Sequence, residues 1–309
     1  MTNNEGRARR LLVIFNPTAG NRAQRRLAEW LAALERLGAP VSLSETKAPR
    51  HAEALARAAD PALVDAVVAA GGDGTINEVV NGLAQSSLPL GILPLGTANV
   101  LAGEIGLPSR PLDVARVLAF APARPVWPGE AWAEGANMAG RRFLIMAGIG
   151  FDADVVEALD LPLKRRLARL GLGKLAYVAS IMGRLRDYRP CSYRAELDGV
   201  AVEGASLVAA KAHFYGGRFV LAPAARLDDP AFQVVLFGRG GRGAVLGYMA
   251  AMAAGMLRRC PSVRIVAARQ VRLSEPPGAA VQIDGDIHVR LPVTLRIAPT
   301  PLQLIQPTP

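Results

Sequence analysis

Along the first 120 residues, apolar positions come in two alternating kinds. Short runs, Leu11 to Phe15, Val41 to Ser44, Leu63 to Ala70 and Leu90 to Leu93, have the length of strands, and the third is apolar almost throughout, as a strand buried on both faces must be. Between them, Ala23 to Leu37, Ala52 to Ala59 and Ile76 to Leu83 repeat their apolar residues at helical spacing. A further helix is predicted to begin near Thr97, and one more covers Leu112 to Ala119. Strands alternating with helices predict right-handed βαβ crossovers and a parallel sheet, an α/β domain.

The pattern then changes. Pro122, Pro125 and Pro128, with Gly129 and Gly135, interrupt regular structure and mark a boundary between residues 1–125 and 126–309. A helical region is predicted from about Val155 to Leu185. Beyond it lie short alternating stretches separated by turn residues: Tyr193 to Leu197, Ala205 to Ala210, Phe232 to Phe237, Val263 to Val266, Val271 to Leu273, Val281 to Ile283 and Val293 to Ile297. These predict a mainly antiparallel β-sandwich, with the last residues free to pack back on the first domain.

Charge adds a partner class. The chain of 309 residues carries 36 Lys and Arg against 26 Asp and Glu, a net charge of +10, which favours an anionic partner. Residues 1–125 hold 13 basic and 11 acidic side chains and the remainder 23 and 15, so the excess lies in the second half. Between Leu161 and Pro190, Lys164, Arg165, Arg166, Arg169, Lys174, Arg184, Arg186 and Arg189 face a single acid, Asp187. A few such groups, at about 1 kcal/mol each, can hold a protein on an anionic membrane. Nucleic acid is discounted, because aromatics are 5% of the chain and no stacking platform accompanies the basic groups. Cys191 and Cys260 form neither a CxxC pair nor a disulfide framework, which points to a reducing cytosol. Met1 to Arg10 is polar and unlike a secretory signal. The longest uncharged apolar run, Gly243 to Leu257, has 15 residues, too few to span a bilayer, so a buried or interfacial helix is expected.

Candidate chemistry sits at the carboxyl ends of the predicted parallel strands, where open α/β sheets bind ligands. There the sequence reads Asn16-Pro17-Thr18-Ala19-Gly20, Gly71-Gly72-Asp73-Gly74-Thr75 and Pro94-Leu95-Gly96-Thr97-Ala98-Asn99. Glycine lets backbone approach a polyphosphate, and the amides opening the next helix supply partial positive charge. Any one such turn is an ordinary strand-to-helix connection; three in one sheet point to nucleotide phosphates. Asp73 reads equally as a helix cap or as a carboxylate that organises Mg²⁺. No GxxxxGK[ST] loop is present, and the lone Gly238-x-Gly240-x-x-Gly243 lacks the acidic residue a dinucleotide fingerprint needs about 20 residues on.

Gly71 to Glu78, with Asn16 to Gly20 before it and Pro94 to Asn99 after, resembles the diacylglycerol kinase catalytic family, to which bacterial lipid kinases and the sphingosine and ceramide kinases are related. Gly148-Ile149-Gly150-Phe151-Asp152, Ala222-Pro223-Ala224 and Asp284-Gly285-Asp286 follow in family order. The resemblance implies an ATP- and Mg²⁺-dependent lipid kinase, peripheral at the inner face of the membrane, with a homodimer left open. It implies that Asn16, Pro17, Thr18, Ala19, Gly20, Thr46, Gly71, Gly72, Asp73, Gly74, Thr75, Asn77, Gly96 and Thr97 surround ATP, and that the lipid headgroup meets the γ-phosphate between the domains. Asp286 stands where relatives have a glutamate base, one methylene longer; its plain alternative is a hairpin turn. Asp228-Asp229-Pro230 resembles a structural magnesium site, with Asp229 as side-chain ligand and the Arg226 and Ala231 carbonyls nearby, although the family has glycine where Pro230 restricts the backbone. Two other readings use the same residues: an NAD kinase, which shares the Gly71 to Thr75 element, and a catalytically silent nucleotide sensor that binds membranes.

Overall fold

A computed structural model describes residues 6–19, 21–134, 140–159, 183, 185, 186, 188 and 191–308. The chain forms two units, one running to Val126 and resuming at Thr300, the other spanning Trp127–Pro299.

The first unit contains β1 (Leu11–Phe15), α1 (Asn21–Arg36), β2 (Val41–Glu45), α2 (His51–Arg57), β3 (Ala66–Gly71), α3 (Asp73–Gly82), β4 (Leu90–Pro94), α4 (Val100–Glu104), α5 (Pro111–Phe120) and β5 (Ala123–Val126), and it takes back β20 (Leu302–Ile305). Its sheet has the order β2-β1-β3-β4-β20-β5 and is parallel except for β5. Every residue of β3 is buried, as expected of a central strand covered on both faces. On α1, Ala23, Leu27, Trp30 and Leu34 recur at helical spacing and pack with Leu11, Val13 and Phe15 of β1 and with Val114 and Leu118 of α5. Burying such side chains is worth about 1.5–3 kcal/mol each for the larger ones. The segment around Pro125, expected to be irregular, is a strand: β5 pairs with β20 alone at the sheet margin, where a residue without an N–H is tolerated.

The second unit contains β6 (Gly129–Ala133), β7 (Arg141–Phe143), β8 (Met146–Ile149), α6 (Phe151–Leu159), β9 (Tyr193–Leu197), β10 (Val200–Gly204), β11 (Ser206–Ala210), β12 (Phe214–Tyr215), β13 (Phe219–Val220), β14 (Phe232–Phe237), α7 (Arg242–Ala253), β15 (Val263–Ala268), β16 (Gln270–Glu275), β17 (Ala280–Ile283), β18 (Asp286–Arg290) and β19 (Val293–Ile297). Two antiparallel sheets, β10-β9-β16-β19-β6-β7 and β15-β14-β11-β8-β17-β18, share one core. At its centre Phe143 stacks on Phe232 with ring centroids 5.7 Å apart. Gly129 is required beside that ring, because a Cβ there would lie 2.2 Å from Phe143.

The α/β unit and the antiparallel sandwich are the fold that the sequence predicts. One expectation is narrowed: α7 is not buried, since Val245 is the only buried residue along it. The helix expected over 155–185 is described through α6, and Lys164, Arg165, Arg166 and Arg169 lie outside the described residues.

Candidate active site

The order β2-β1-β3-β4 reverses direction between β1 and β3, and a crevice opens at the carboxyl ends of strands at such a point. Asn16 follows β1 directly and ties two of the glycine turns together. Its amide N–H extends the ladder to the Ala70 carbonyl at 3.0 Å. Its side-chain oxygen accepts from the Thr18 N–H and hydroxyl at 3.1 and 2.7 Å, and its side-chain N–H₂ donates to the Thr75 hydroxyl at 3.1 Å.

Gly71 must be glycine, because a Cβ would fall 2.4 Å from Thr75 Oγ1. Gly72 then enters α3 in an extended conformation with no side chain capping the helix. The first-turn amides of α3, Asp73 to Thr75, have no intrahelical acceptor and open onto the crevice end of the strand. From the third turn, Gly96 faces Gly72 so closely that a Cβ on Gly96 would lie 2.6 Å from the Gly72 Cα. Asn99, in the left-handed conformation, locks that turn: its side chain accepts from the Gly96 N–H at 2.9 Å and donates to the Gly96 carbonyl at 2.8 Å. The Leu95 N–H donates to the Gly71 carbonyl at 2.8 Å.

Asp73 is the only acid in the three turns. Its carboxylate caps a helix other than its own, accepting from the Val100 and Leu101 amides of α4 at 3.3 and 3.4 Å. Burial raises its pKa above the ordinary carboxylate range, and those amides pull it partly back. The remaining residues divide. Thr46 extends the β1–β2 ladder through its N–H to Phe15, at 2.8 Å, and Thr97 and Ala98 are exposed. Asn77 is buried, with the Asn81 side chain donating to its backbone carbonyl at 2.8 Å. Pro17 opens a short 3₁₀ turn through Ala19, and Gly20 lies outside the described residues. Glu78, which sequence reasoning left without a role, accepts from the Arg50 and Ala52 amides at 2.9 and 3.1 Å and so caps α2.

In the second unit, Asp286 is exposed at the start of β18. The hairpin is real: Asp284 and Gly285 both have positive φ, at 49° and 89°, the pairing of a tight two-residue turn. Asp284 is fully engaged, accepting from the Leu144, Ile145 and Met146 amides at 3.0, 2.9 and 3.0 Å. Gly285 donates its N–H to the Gln282 side-chain oxygen at 2.9 Å, and the Gln282 N–H₂ donates to Asp152 at 2.7 Å. The Tyr215 hydroxyl donates to the other oxygen of Asp152. Burial pushes the Asp152 carboxyl up, opposed by Tyr215 and Gln282. Gln282 and Tyr215 carry no sequence signal; they are found only because the fold brings α6, β12 and β17 together around Asp152.

In the segment that the resemblance points to for magnesium, the carbonyls accept from a lysine. The Lys211 side chain, fully buried, donates to the carbonyls of Arg226 at 2.9 Å, of Asp229, and of Ala231 at 3.1 Å. Burial lowers the Lys211 pKa to about 8, with Asp229 and Asp228 acting in the opposite direction. Among the described residues no group of three His, Cys, Asp or Glu could hold a metal ion. None of the described helices is long and apolar enough to cross a membrane.

A parallel sheet with three apposed glycine turns, joined in one chain to an antiparallel sandwich, defines a class of phosphate-handling proteins. Comparison with known proteins supplies the family. Residues 10–131 match the diacylglycerol kinase catalytic domain, and residues 146–306 match the YegS C-terminal NAD kinase beta sandwich-like domain. A diacylglycerol kinase of Bacillus subtilis is 33% identical over 234 residues, which are 74% of this chain and 73% of that protein. A diacylglycerol kinase of Mycobacterium tuberculosis is 27% identical over 303 residues, 96% of this chain and 95% of the relative. A crystal structure of a diacylglycerol kinase from Bacillus anthracis has a TM-score of 0.66 at 18% identity, covering 96% of this chain and 97% of that one. A second structure from that organism has a TM-score of 0.76 at 21% identity over 99% and 98%. These two likenesses bear on the fold alone. The chain belongs to the diacylglycerol kinase catalytic family and is a kinase of the lipid-kinase class.

Proposed function

We propose that the chain transfers the γ-phosphoryl group of ATP, with Mg²⁺, to a hydroxyl of a diacylglycerol-like or sphingoid-like lipid at a membrane surface. The observation that carries this reading is the backbone contact of Gly72 with Gly96 beside the uncapped first turn of α3. The residues fit a triphosphate tail. Side chains are missing where phosphate oxygens would approach, the first-turn amides of α3 have no intrahelical acceptor, and Asn16 donates to the Thr75 hydroxyl of the same turn. Asp73 adds one carboxylate, and Mg²⁺ bound with nucleotide phosphates commonly uses only one or two.

ATP supplies the transferable phosphoryl group and Mg²⁺ the charge neutralisation. The protein's part is positioning and proton handling. On this reading the first unit binds the nucleotide: Asn16 to Thr18, Gly71 to Thr75 and Gly96 line the phosphates, with Thr46 and Thr97 at the margin, while Asp73 orients the metal and its water. The second unit binds the acceptor. Asp286, on a hairpin pinned by Asp284 and by Gln282, accepts the hydroxyl proton of the lipid.

Membrane-surface action rests on α7. Leu246 is 46% exposed and Met256 just beyond the helix is 45% exposed, and Arg239, Arg242, Arg258 and Arg259 flank this apolar stretch. Apolar side chains bordered by arginines suit an anionic bilayer. Incubating the protein with γ-labelled ATP, Mg²⁺ and a total lipid extract tests the proposal. A labelled phospholipid is the expected product, and labelled NADP from added NAD in its place would reject it.

A further inference from the structure

We infer that Lys211 is the resident cation of the Arg226–Ala231 loop and that this loop takes no divalent metal ion. An ammonium group has three N–H donors, and here three carbonyls, those of Arg226, Asp229 and Ala231, accept from it. Nothing is left over on the donor side. Such saturation is what offsets the cost of burying a charged side chain completely. A metal ion would need the same oxygens, at 2.0–2.6 Å. It would then sit within a few ångströms of a buried positive charge, where repulsion is strong and poorly screened.

The carboxylates of the loop do not rescue a metal site. Asp228 is turned to the Arg226 guanidinium at 2.7 and 2.9 Å. That leaves Asp229 as the one carboxylate close to the carbonyls, and Pro230 restricts the backbone beside it. The donor set of this chain therefore does not fit Mg²⁺, in contrast to the assignment of Asp229, Arg226 and Ala231 by resemblance.

The tether has a structural consequence. Lys211 follows β11, and the Lys211 and Ala212 amides both donate to the Ile145 carbonyl, at 2.8 and 3.1 Å. Leu144 to Met146 is the segment whose amides hold Asp284. The clip on the loop and the hairpin bearing Asp286 thus hang from one three-residue stretch. A metal lost to a chelator would loosen both, whereas a lysine cannot be chelated. The inference is independent of the reaction proposed above.

Thermal unfolding of the full, nucleotide-free chain tests it. Wild type and Asp229→Asn are expected to respond identically when Mg²⁺ is replaced by excess EDTA. A fall in Tm in EDTA for wild type that Asp229→Asn abolishes would place a metal in the loop and overturn the inference. Lys211→Met keeps the length and removes the charge. Its Tm in EDTA should fall by roughly 5 °C or more, because three buried carbonyls lose their donor. An unchanged Tm for this variant would equally overturn it. If Lys211→Met does not fold, the comparison of wild type with Asp229→Asn decides alone.

Discussion

Gly72 and Gly96 touch through bare backbone: a Cβ on Gly96 would lie 2.6 Å from the Gly72 Cα, against 3.3 Å for the reciprocal contact. The 2.6 Å contact is with backbone, and Asn99 Oδ1 would lie 2.9 Å away as well, so Gly96→Ala must move one loop relative to the other. Displacements on that scale cost about 10- to 100-fold when they misplace reacting groups. The expected result is a fall of that size in kcat/KM for ATP, carried mainly by a raised KM. Steady-state kinetics against ATP at saturating lipid measures it.

Asp286 stands exposed on a hairpin that its neighbours hold rigid. If it accepts the lipid proton, Asp286→Asn should lower kcat by about 10²- to 10⁴-fold with little change in KM for ATP. Asp286→Glu, which keeps the carboxylate on an arm one methylene longer, should keep most of the activity. An Asn variant turning over near the wild-type rate would remove Asp286 from the reaction.

Gln282 donates to Asp152 at 2.7 Å while its oxygen receives the Gly285 N–H. Gln282→Glu keeps the acceptor but sets a second carboxylate against a buried one. The pKa of Asp152 is already raised by burial, and a like charge raises it further. A carboxyl whose folded pKa is raised contributes its stability below the unfolded value, and loses it as pH rises through the folded value. The variant should therefore lose Tm, by roughly 5 °C or more, between acidic and mildly alkaline pH, where wild type changes less. Equal pH profiles for the two proteins would count against the buried pair.

Asp73 obeys the same sign rule, since burial raises its pKa above the ordinary carboxyl value of 3.8. Its ionised form costs stability at neutral pH, and that cost disappears as pH falls below 3.8. Asp73→Asn should thus gain Tm relative to wild type as pH is raised from acid to neutral, while kinase activity drops. Parallel melting curves and activity assays across that range would show stability and turnover moving in opposite directions.

Much of the first unit was legible because its signals are local. β1, β3 and β4 are apolar runs, and the glycine turns sit directly at their ends. β5 was missed because Pro125 reads as a breaker unless it is known that the strand lies at a margin and pairs with the chain's last strand. Asp73 reads locally as a cap for the helix it begins, yet its partners are the amides of Val100 and Leu101, one strand further on. Lys211 was invisible for a different reason. Its acceptors are backbone carbonyls 15 to 20 residues away, and a carbonyl has no residue type to betray it. Asn77 lies within the motif and is buried on α3, a placement that the motif by itself does not reveal.

Amide chemical shifts of the ¹⁵N-labelled chain address the central claim most directly. On adding ATP with Mg²⁺, the N–H signals of Gly72, Gly74, Thr75 and Gly96 should shift, and adenosine alone should leave them in place. Shifts elsewhere with these four unmoved, or the same response to adenosine as to ATP, would contradict the assignment of the phosphates to the glycine turns.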